Sequence, residues 1–287
     1  MDNFLAARLK GLPRSVIYRI IRKGQVRVNG GRAKPATRLE AGDMVRIPPV
    51  SVRENKPGQV PPAVLKLLSA AVCYEGHGAL VVDKPAGMAV HAGSGLSWGV
   101  IDAVRALRPG TNVDLVHRLD RETSGCLLLA LDGDTLRDLH EQLANNRIEK
   151  RYLCLMHGKL KEDLLTVNEP IGQYRRGGER YMRVDAGGKP ASTTFRLLQT
   201  YDGYSFAEAT LHTGRTHQIR VHAAHLGLSL AGDKRYSSEG RQKFWSGRGC
   251  KRLFLHAHQL SFHTSDGDQQ LVSSQLPDDL RAVLDGL

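Results

Sequence analysis

The sequence has few features of a secreted or membrane-spanning protein. No apolar run approaches the roughly 20 residues that a helix needs to cross a bilayer, and no signal peptide opens the chain. Cysteines are scarce and form no paired motif, so the sequence predicts buried, reduced thiols rather than a disulfide framework or a cysteine zinc site. These four cysteines are Cys73, Cys126, Cys154 and Cys250. The sequence therefore predicts a soluble, cytoplasmic protein that binds no membrane.

Acidic side chains are also in the minority. The chain has 29 Asp and Glu residues against 41 Lys and Arg residues, which gives a formal net charge of +12. Such an excess favours a polyanionic partner, because each phosphate that a basic side chain neutralises releases counterions. With 287 residues, 41% of them hydrophobic, the chain is long enough for one large domain and one small domain.

Residues 1–50 are predicted to form the small domain. "PRSVIYRIIRKG" has a helix start at Pro13 to Ser15 and a stop at Gly24, with an apolar face and a separate cationic face. "QVRVNGG" then predicts a short strand that ends in a turn. The cations continue beyond the helix, which favours RNA binding over a merely solvated surface. The predicted RNA-binding residues are Arg19, Arg22, Lys23, Arg27 and Lys34.

Residues 51–62 are rich in proline and charge and are predicted to be a linker, and residues 63–287 to be the large domain. That domain has many short, strand-like apolar runs, such as "GCLLLALD" and "RYLCLMHG". Its predicted helices are few: Asp134 to Asn146 with Asp134 as the N-cap, "SWGVIDAVRAL", and "PDDLRAVLDGL". Many strands with few crossover helices predict an α+β fold whose mixed sheet is mostly antiparallel.

The stretch "VHRLDRETSG", residues 116–125, contains the first candidate for chemistry. Asp120 borders an apolar run and has Arg118 and Arg121 within two positions. A surface salt bridge is the common fate of an aspartate, but a partly buried carboxylate flanked by cations can remain charged and act as a nucleophile or base.

The stretch "LHTGRTHQIRVHAAHLG", residues 211–227, is dense in arginine and histidine. Its histidines, His212, His217, His222 and His225, do not have the spacing of a usual zinc site, and no cysteine joins them. Phosphate and RNA contacts suit the mixture of arginine, threonine, glutamine and histidine better than a metal does.

The motifs of both stretches resemble those of the pseudouridine synthases that include the large-subunit ribosomal RNA enzymes. "HRLDRETSG" is similar to the signature of that family, and "LVVDKPAGMAVH", "KRYLCLMHG", "LHTGRTHQIRVHAAHLG", "GDKRY" and "LFLHAHQLSF" follow in the family's order. Most of residues 2–48 resemble the RNA-binding module named after the small-subunit ribosomal protein S-four. The resemblance implies a pseudouridine synthase catalytic domain behind a small RNA-binding domain.

The resemblance also implies roles for individual residues. Asp120 matches the essential aspartate, Arg118 the arginine that fills the space of a flipped base, and Tyr152 the tyrosine that stacks on the uracil. Arg215 matches the arginine paired with the aspartate, and Leu211 the apolar residue beside the base. His117 and Arg121, in the same motif as Asp120, are expected to bind substrate. From the residues alone, Tyr152 reads more readily as a core tyrosine of a strand.

The implied reaction converts specific uridines of large-subunit (23S) ribosomal RNA to pseudouridine. It adds and removes nothing, so it implies no cofactor and no metal. The expected partner is ribosomal RNA or an assembling subunit, and a monomer is the default state. A non-catalytic ribosome-assembly factor and a nucleic-acid glycosylase remain as alternatives.

Overall fold

The computed structural model of this chain describes residues 1–9, 12, 14–50, 60–92 and 96–287. It divides into two compact units, Met1–Lys56 and Pro57–Leu287, so the division falls inside the predicted linker. Most of that linker, residues 51–59, and Pro13 at the predicted helix start lie outside the described residues.

The first unit is a helical pair with a small sheet. Its helices are α1 (Asp2–Arg8) and α2 (Arg14–Arg22), and its strands are β1 (Arg27–Val28), β2 (Gly31–Arg32) and β3 (Val45–Arg46), in the order β2-β1-β3. Ile17, Ile20 and Ile21 of α2 are buried against Leu5 of α1, which leaves the cationic face of α2 outside. The predicted helix and the turn between β1 and β2 are confirmed.

The second unit is built on a large sheet with helices around it. Its helices are α3 (Pro62–Ala70), α4 (Val100–Leu107), α5 (Gly133–Ala144), α6 (Gln218–His225), α7 (Glu239–Gly247) and α8 (Asp278–Asp285). Its strands are β4 (Val72–Gly76), β5 (Ala79–Lys84), β6 (Asp114–Leu115), β7 (Ser124–Ala130), β8 (Glu149–His157), β9 (Leu164–Val167), β10 (Ile171–Arg176), β11 (Glu179–Val184), β12 (Thr193–Tyr201), β13 (Tyr204–Leu211), β14 (Leu255–His263) and β15 (Gln269–Ser273).

The ten-stranded sheet has the order β4-β5-β7-β14-β8-β13-β12-β9, with β15 paired to β14 and β6 to β7, while β10 and β11 form a separate ribbon. Pairing is antiparallel except between β14 and β7, which run parallel. The prediction of an α+β fold with a mostly antiparallel mixed sheet is confirmed. Among the described residues, none of the helices is long and apolar enough to cross a membrane.

Strand β7 is buried along its whole length because both faces of the sheet are covered there. Leu127 and Leu129 pack into the larger apolar cluster, and Leu128 packs on the opposite side against Leu139 of α5. This explains the continuous apolar run "CLLLALD" after the Asp120 motif. Since β7 is packed on both faces, the loop that carries Asp120 ends at a rigid strand.

The structure differs from the sequence predictions in several details. Helix α5 is capped by Asp132 rather than Asp134: the extended backbone of Asp132 lets its carboxylate accept hydrogen bonds from the N–H groups of Asp134 (3.0 Å) and Thr135 (2.8 Å). Cys73 is exposed, whereas the other three cysteines are buried. Helix α6 was not anticipated because its first six residues are all buried, which removes the amphipathic pattern that marks a surface helix.

Candidate active site

An open cleft of about 1490 Å³ in the second unit brings together residues of the two motifs that contain Asp120 and Arg215. Its walls come from the loop between β6 and β7, from the start of β8, and from the segment between β13 and α6. The sequence-predicted residues that line it are His117, Arg118, Asp120, Arg121, Tyr152, Leu211 and Arg215. Residues as far apart in the sequence as His117 and Arg215 thus share one surface because the sheet places their strands side by side.

A buried lysine, Lys84, binds the backbone of the loop that carries Asp120. The ammonium of Lys84, at the end of β5, donates to the carbonyls of Pro85 (2.8 Å), Met88 (2.9 Å) and Arg121 (3.1 Å). Burial lowers the pKa of Lys84 to about 7, while the charges of Glu122 and Asp120 oppose this fall. The lysine therefore ties the residue after Asp120 to the segment after β5.

A glycine sets the close approach of the two strands beneath the same loop. Gly125 has φ +109°, and a Cβ at this position would lie 2.2 Å from the carbonyl oxygen of Ala257 on β14. No L side chain fits here, so packing requires the glycine of "TSG".

The carboxylate of Asp120 faces one side chain of α6, Arg220, and one from the N-cap of that helix, His217. Its Oδ2 lies 3.5 Å from Nη1 of Arg220 and 3.7 Å from Nε2 of His217. The Asp120 side chain is 27% exposed, so it is sheltered but still opens into the cleft. A carboxylate in this position can reach a ligand while a guanidinium stays behind it.

Arg220 is fixed by a second, fully buried aspartate. Its Nε and Nη2 donate to the two oxygens of Asp233 at 2.8 and 2.9 Å, and Asp233 also accepts from the backbone N–H groups of Arg235 and Tyr236. Burial disfavours the charge of Arg220, but the hydrogen bond to Asp233 and the charges of Asp233 and Asp120 raise its pKa overall. The forked pair orients the guanidinium so that its remaining nitrogen faces Asp120.

His217 is oriented by a tyrosine on its other ring nitrogen. The hydroxyl of Tyr236 accepts from the N–H of Met182 (3.3 Å) and shares a hydrogen bond with Nδ1 of His217 (2.7 Å). This contact fixes the plane of the ring and leaves Nε2 facing Asp120. Burial lowers the pKa of His217, and the charge of Asp120 acts in the opposite direction.

Tyr152 lies on β8 with 5% of its surface exposed, and it lines the cleft. Burial and the charge of Asp120 raise the pKa of its phenol, so the ring is neutral at physiological pH. Its place in the large apolar cluster agrees with the reading of Tyr152 as a core tyrosine of a strand. The same residue also lines the cleft.

The pairing expected for Arg215 was wrong. Its Nε donates to the carbonyl of Pro190 (2.9 Å), and the ion pair with Asp120 is made by Arg220 instead. Arg215 precedes α6, whereas Arg220 lies inside it, and His217 is the residue that caps its N-terminus. The sequence carried no local signal for Arg220, because its contact with Asp120 depends on how α6 packs.

The arginines next to Asp120 in the sequence do not balance its charge. Arg118 and Arg121 are both exposed, and Nε of Arg121 donates to the carbonyl of Gly87 (2.8 Å). The partner of Asp120 comes from 100 residues further along the chain. Proximity in sequence was therefore a poor guide to the ion pair, and the two flanking cations remain available to a ligand.

The histidines after β13 have separate partners. His222 contacts Thr193 and the carbonyl of Glu169, both at 2.9 Å, and His212 contacts Thr194 at 2.9 Å. Over the described part of the chain, no three His, Cys, Asp or Glu side chains form a group that could hold a metal ion.

His117 is half-buried, and its Nε2 accepts from the N–H of Leu128 (3.2 Å). Burial and the nearby charge of Lys150 lower its pKa to about 4. Burial also lowers the pKa of five further histidines: His157, His217, His222, His256 and His258. All six are therefore neutral in the folded protein near pH 7.

We expect the free energy of unfolding to fall as the pH drops below about 6.5, the pKa of histidine in an unfolded chain. Because the folded pKa values are depressed, the unfolded chain takes up protons that the folded chain refuses between about pH 6.5 and pH 4. Urea unfolding at a series of pH values measures the slope. His117→Gln, which keeps an acceptor for the N–H of Leu128, should flatten it, and an unchanged slope would contradict this assignment.

Comparisons with known proteins find relatives for both units of the chain. Residues 78–225 match the RNA pseudouridylate synthase family, and residues 1–45 match the S4 domain. The chain is 45% identical to "Ribosomal large subunit pseudouridine synthase C" of Yersinia pestis over 289 residues, which covers 99% of this chain and 90% of that protein. It is also 45% identical to the protein of the same name from Escherichia coli strain K12, with 100% and 92% covered.

Two solved structures of human proteins have the same fold. "Human RNA Pseudouridylate Synthase Domain Containing 1" is 27% identical with a TM-score of 0.62, and covers 74% of this chain and 86% of its own. "Human RNA Pseudouridylate Synthase Domain Containing 4" has a TM-score of 0.64 at 23% identity, with 78% and 95% covered. From the family match, the full-length relatives and the cleft around Asp120 together, the chain belongs to the RNA pseudouridylate synthase family.

Proposed function

We propose that this enzyme isomerises uridines to pseudouridine in large-subunit ribosomal RNA, with Asp120 as the nucleophile. The observation that carries the proposal is a sheltered carboxylate, backed by Arg220, that opens into the same cleft as Tyr152. Full-length relatives at 45% identity have names that specify the large ribosomal subunit.

The reaction breaks the bond between C1′ of the ribose and N1 of uracil and forms a bond between C1′ and C5. The proton on C5 leaves, and N1 gains a proton, so atoms balance without a cofactor. Asp120 attacks either C1′ or the ring, and the forked Arg220–Asp233 pair keeps a positive charge against it throughout. His217 holds the other side of the carboxylate.

The target base leaves its stack before it reaches Asp120, at a cost of a few kcal/mol. Arg118 is exposed at the rim of the cleft and is proposed to occupy the vacated space. Tyr152 offers an aromatic face to the extruded ring, a contact worth roughly 1–3 kcal/mol, and Leu211 packs beside it. His117, Arg121 and Arg215 complete the proposed substrate-binding surface, and Arg215 does so without pairing with Asp120.

The first unit is proposed to add RNA affinity. Its predicted RNA-binding residues, Arg19, Arg22, Lys23, Arg27 and Lys34, are all exposed. They contact RNA through phosphate neutralisation, which is independent of base sequence. The proposed substrate implies a cytoplasmic enzyme, and we propose that it acts as a monomer on ribosomal RNA or on an assembling subunit.

The proposal predicts tritium release when the full chain is incubated with a large-subunit ribosomal RNA transcript labelled at C5 of uridine. Release follows from loss of the C5 proton, and mass spectrometry of the digested RNA should show pseudouridine. Free uracil in the supernatant would instead identify a glycosylase. Tight binding without either product would identify a non-catalytic assembly factor.

A further inference from the structure

We propose that Lys150 forms an anion subsite of the cleft and binds a backbone phosphate of the RNA next to the target nucleotide. This inference rests on the proposed RNA substrate and adds a residue that the motif roles above do not include. Lys150 lies at the start of β8, two positions before Tyr152, and both side chains line the cleft.

Lys150 is buried without a partner for its charge. The residue is 8% exposed, and among the described residues its ammonium has no hydrogen bond and no ion pair. Burial lowers the pKa of Lys150, and no acidic side chain in the described part of the chain forms an ion pair with it to oppose this effect. A buried charge is costly unless it is paired.

The other buried lysine of this unit shows the usual solution. Lys84 is fully buried, and three backbone carbonyls within 3.1 Å accept its three protons. Lys84 is therefore a structural lysine that needs nothing from outside. Lys150 differs because no group of the described residues accepts a hydrogen bond from its ammonium. A ligand for this ammonium would therefore enter through the cleft.

The surroundings of Lys150 favour an anion. The nearby imidazole of His117 is neutral, and the charge of Lys150 itself helps to keep it so. Arg118, the residue after His117, adds a second cation at the cleft surface. The acidic group of the reaction centre, Asp120, is already engaged by Arg220 and His217. Bases of RNA are neutral, so the anion that an RNA strand supplies here is a phosphate.

The spacing along β8 suits one nucleotide. Side chains at alternate positions of a strand project from the same side and are about 7 Å apart. A uracil that contacts Tyr152 therefore brings its own sugar–phosphate backbone within reach of a lysine two positions away. Strand β8 would then contact both the target base, through Tyr152, and the RNA backbone beside it, through Lys150.

The test compares the wild type with Lys150→Met, which keeps the unbranched stem and removes the charge. Binding to an unmodified large-subunit ribosomal RNA transcript should weaken about tenfold, since a hydrogen bond to a charged group is lost. The slope of log Kd against log salt should fall by roughly 0.7–0.9, the value for one phosphate contact. Lys150→Arg should restore the slope, and Lys161→Met, at an exposed position that does not line the cleft, should leave it unchanged.

Two further measurements separate this role from others. The Tm of the free Lys150→Met variant should equal or exceed that of the wild type, because an unpartnered buried charge has been removed. Its kcat at saturating RNA should be unchanged within about twofold, because a uniform binding contact is lost. A lower Tm with an unchanged salt slope would show a structural lysine and overturn the proposal, as would a fall in kcat with an unchanged Kd. If the wild type binds the transcript but makes no pseudouridine, the proposed function fails independently of these results.

Discussion

Asp120→Asn should abolish pseudouridine formation, with a loss of about 10⁴-fold or more in kcat, while RNA binding remains near the wild-type level. The amide has almost the same shape as the carboxylate but cannot form the covalent bond that the proposed mechanism requires. The carboxylate is 27% exposed and makes two contacts longer than 3.4 Å, so its replacement should disturb the fold little. Tritium release under single-turnover conditions measures the loss.

Asp114→Asn is the matched control for this experiment. Asp114 lies six residues earlier on β6, is exposed, and does not line the cleft. The same acid-to-amide change there should leave kcat unchanged within about twofold. Appreciable turnover by the Asp120 variant would remove the nucleophile from the proposal, whereas loss of RNA binding would show that the carboxylate acts in positioning the RNA.

Arg220→Met should reduce both activity and stability, unlike any change at Arg215. Removal of the guanidinium leaves the fully buried Asp233 without its partner, which should cost about 3–5 kcal/mol of unfolding free energy. It also removes the positive charge against Asp120, so we expect kcat to fall by about 10²–10³-fold. Arg215→Met loses one contact with a carbonyl and should reduce activity at most about tenfold.

The double variant Arg220→Met/Asp233→Asn separates the two effects of Arg220. A neutral amide at position 233 no longer leaves a buried charge unpaired, so urea unfolding should show a partial recovery of stability. Activity should not recover, because the charge against Asp120 is still missing. If activity returned together with stability, Arg220 would be a structural residue alone. If Arg215→Met proved the more damaging change, the assignment of the ion pair from the structure would be wrong.

The fold class and the loop that carries the candidate nucleophile could be predicted from the sequence for identifiable reasons. Short apolar runs with few intervening helices indicate a mostly antiparallel sheet, and "HRLD" before "CLLLALD" places a charged loop directly at a buried strand. The helix at residues 14–22 was predictable because its apolar stripe and its terminal Gly24 are local signals. The capping residue of α5 was not, because Asp132 and Asp134 differ only in backbone conformation.

The partners of the charged groups could not be predicted in the same way. Arg118 and Arg121 are neighbours of Asp120 in the sequence but lie at the cleft surface. Arg220 contacts Asp120 from α6, a helix whose buried residues show no amphipathic pattern in the sequence. Nothing in the sequence distinguishes Lys84 from Lys150, yet among the residues that the structure describes only the ammonium of Lys84 has hydrogen-bond acceptors around it. Contacts of this kind depend on distances across the sheet.

Local order in the amino-acid sequence thus determined the elements, the charge and the candidate nucleophile of this protein, because hydrophobic periodicity, capping and turn residues act over a few positions. The tertiary structure alone decided which arginine backs Asp120, which lysine lacks a partner, and which groups contact His217. These contacts form where segments that are 30 to 100 residues apart in the sequence meet. Burial at those places determines how strongly the charged groups interact and which of them pair.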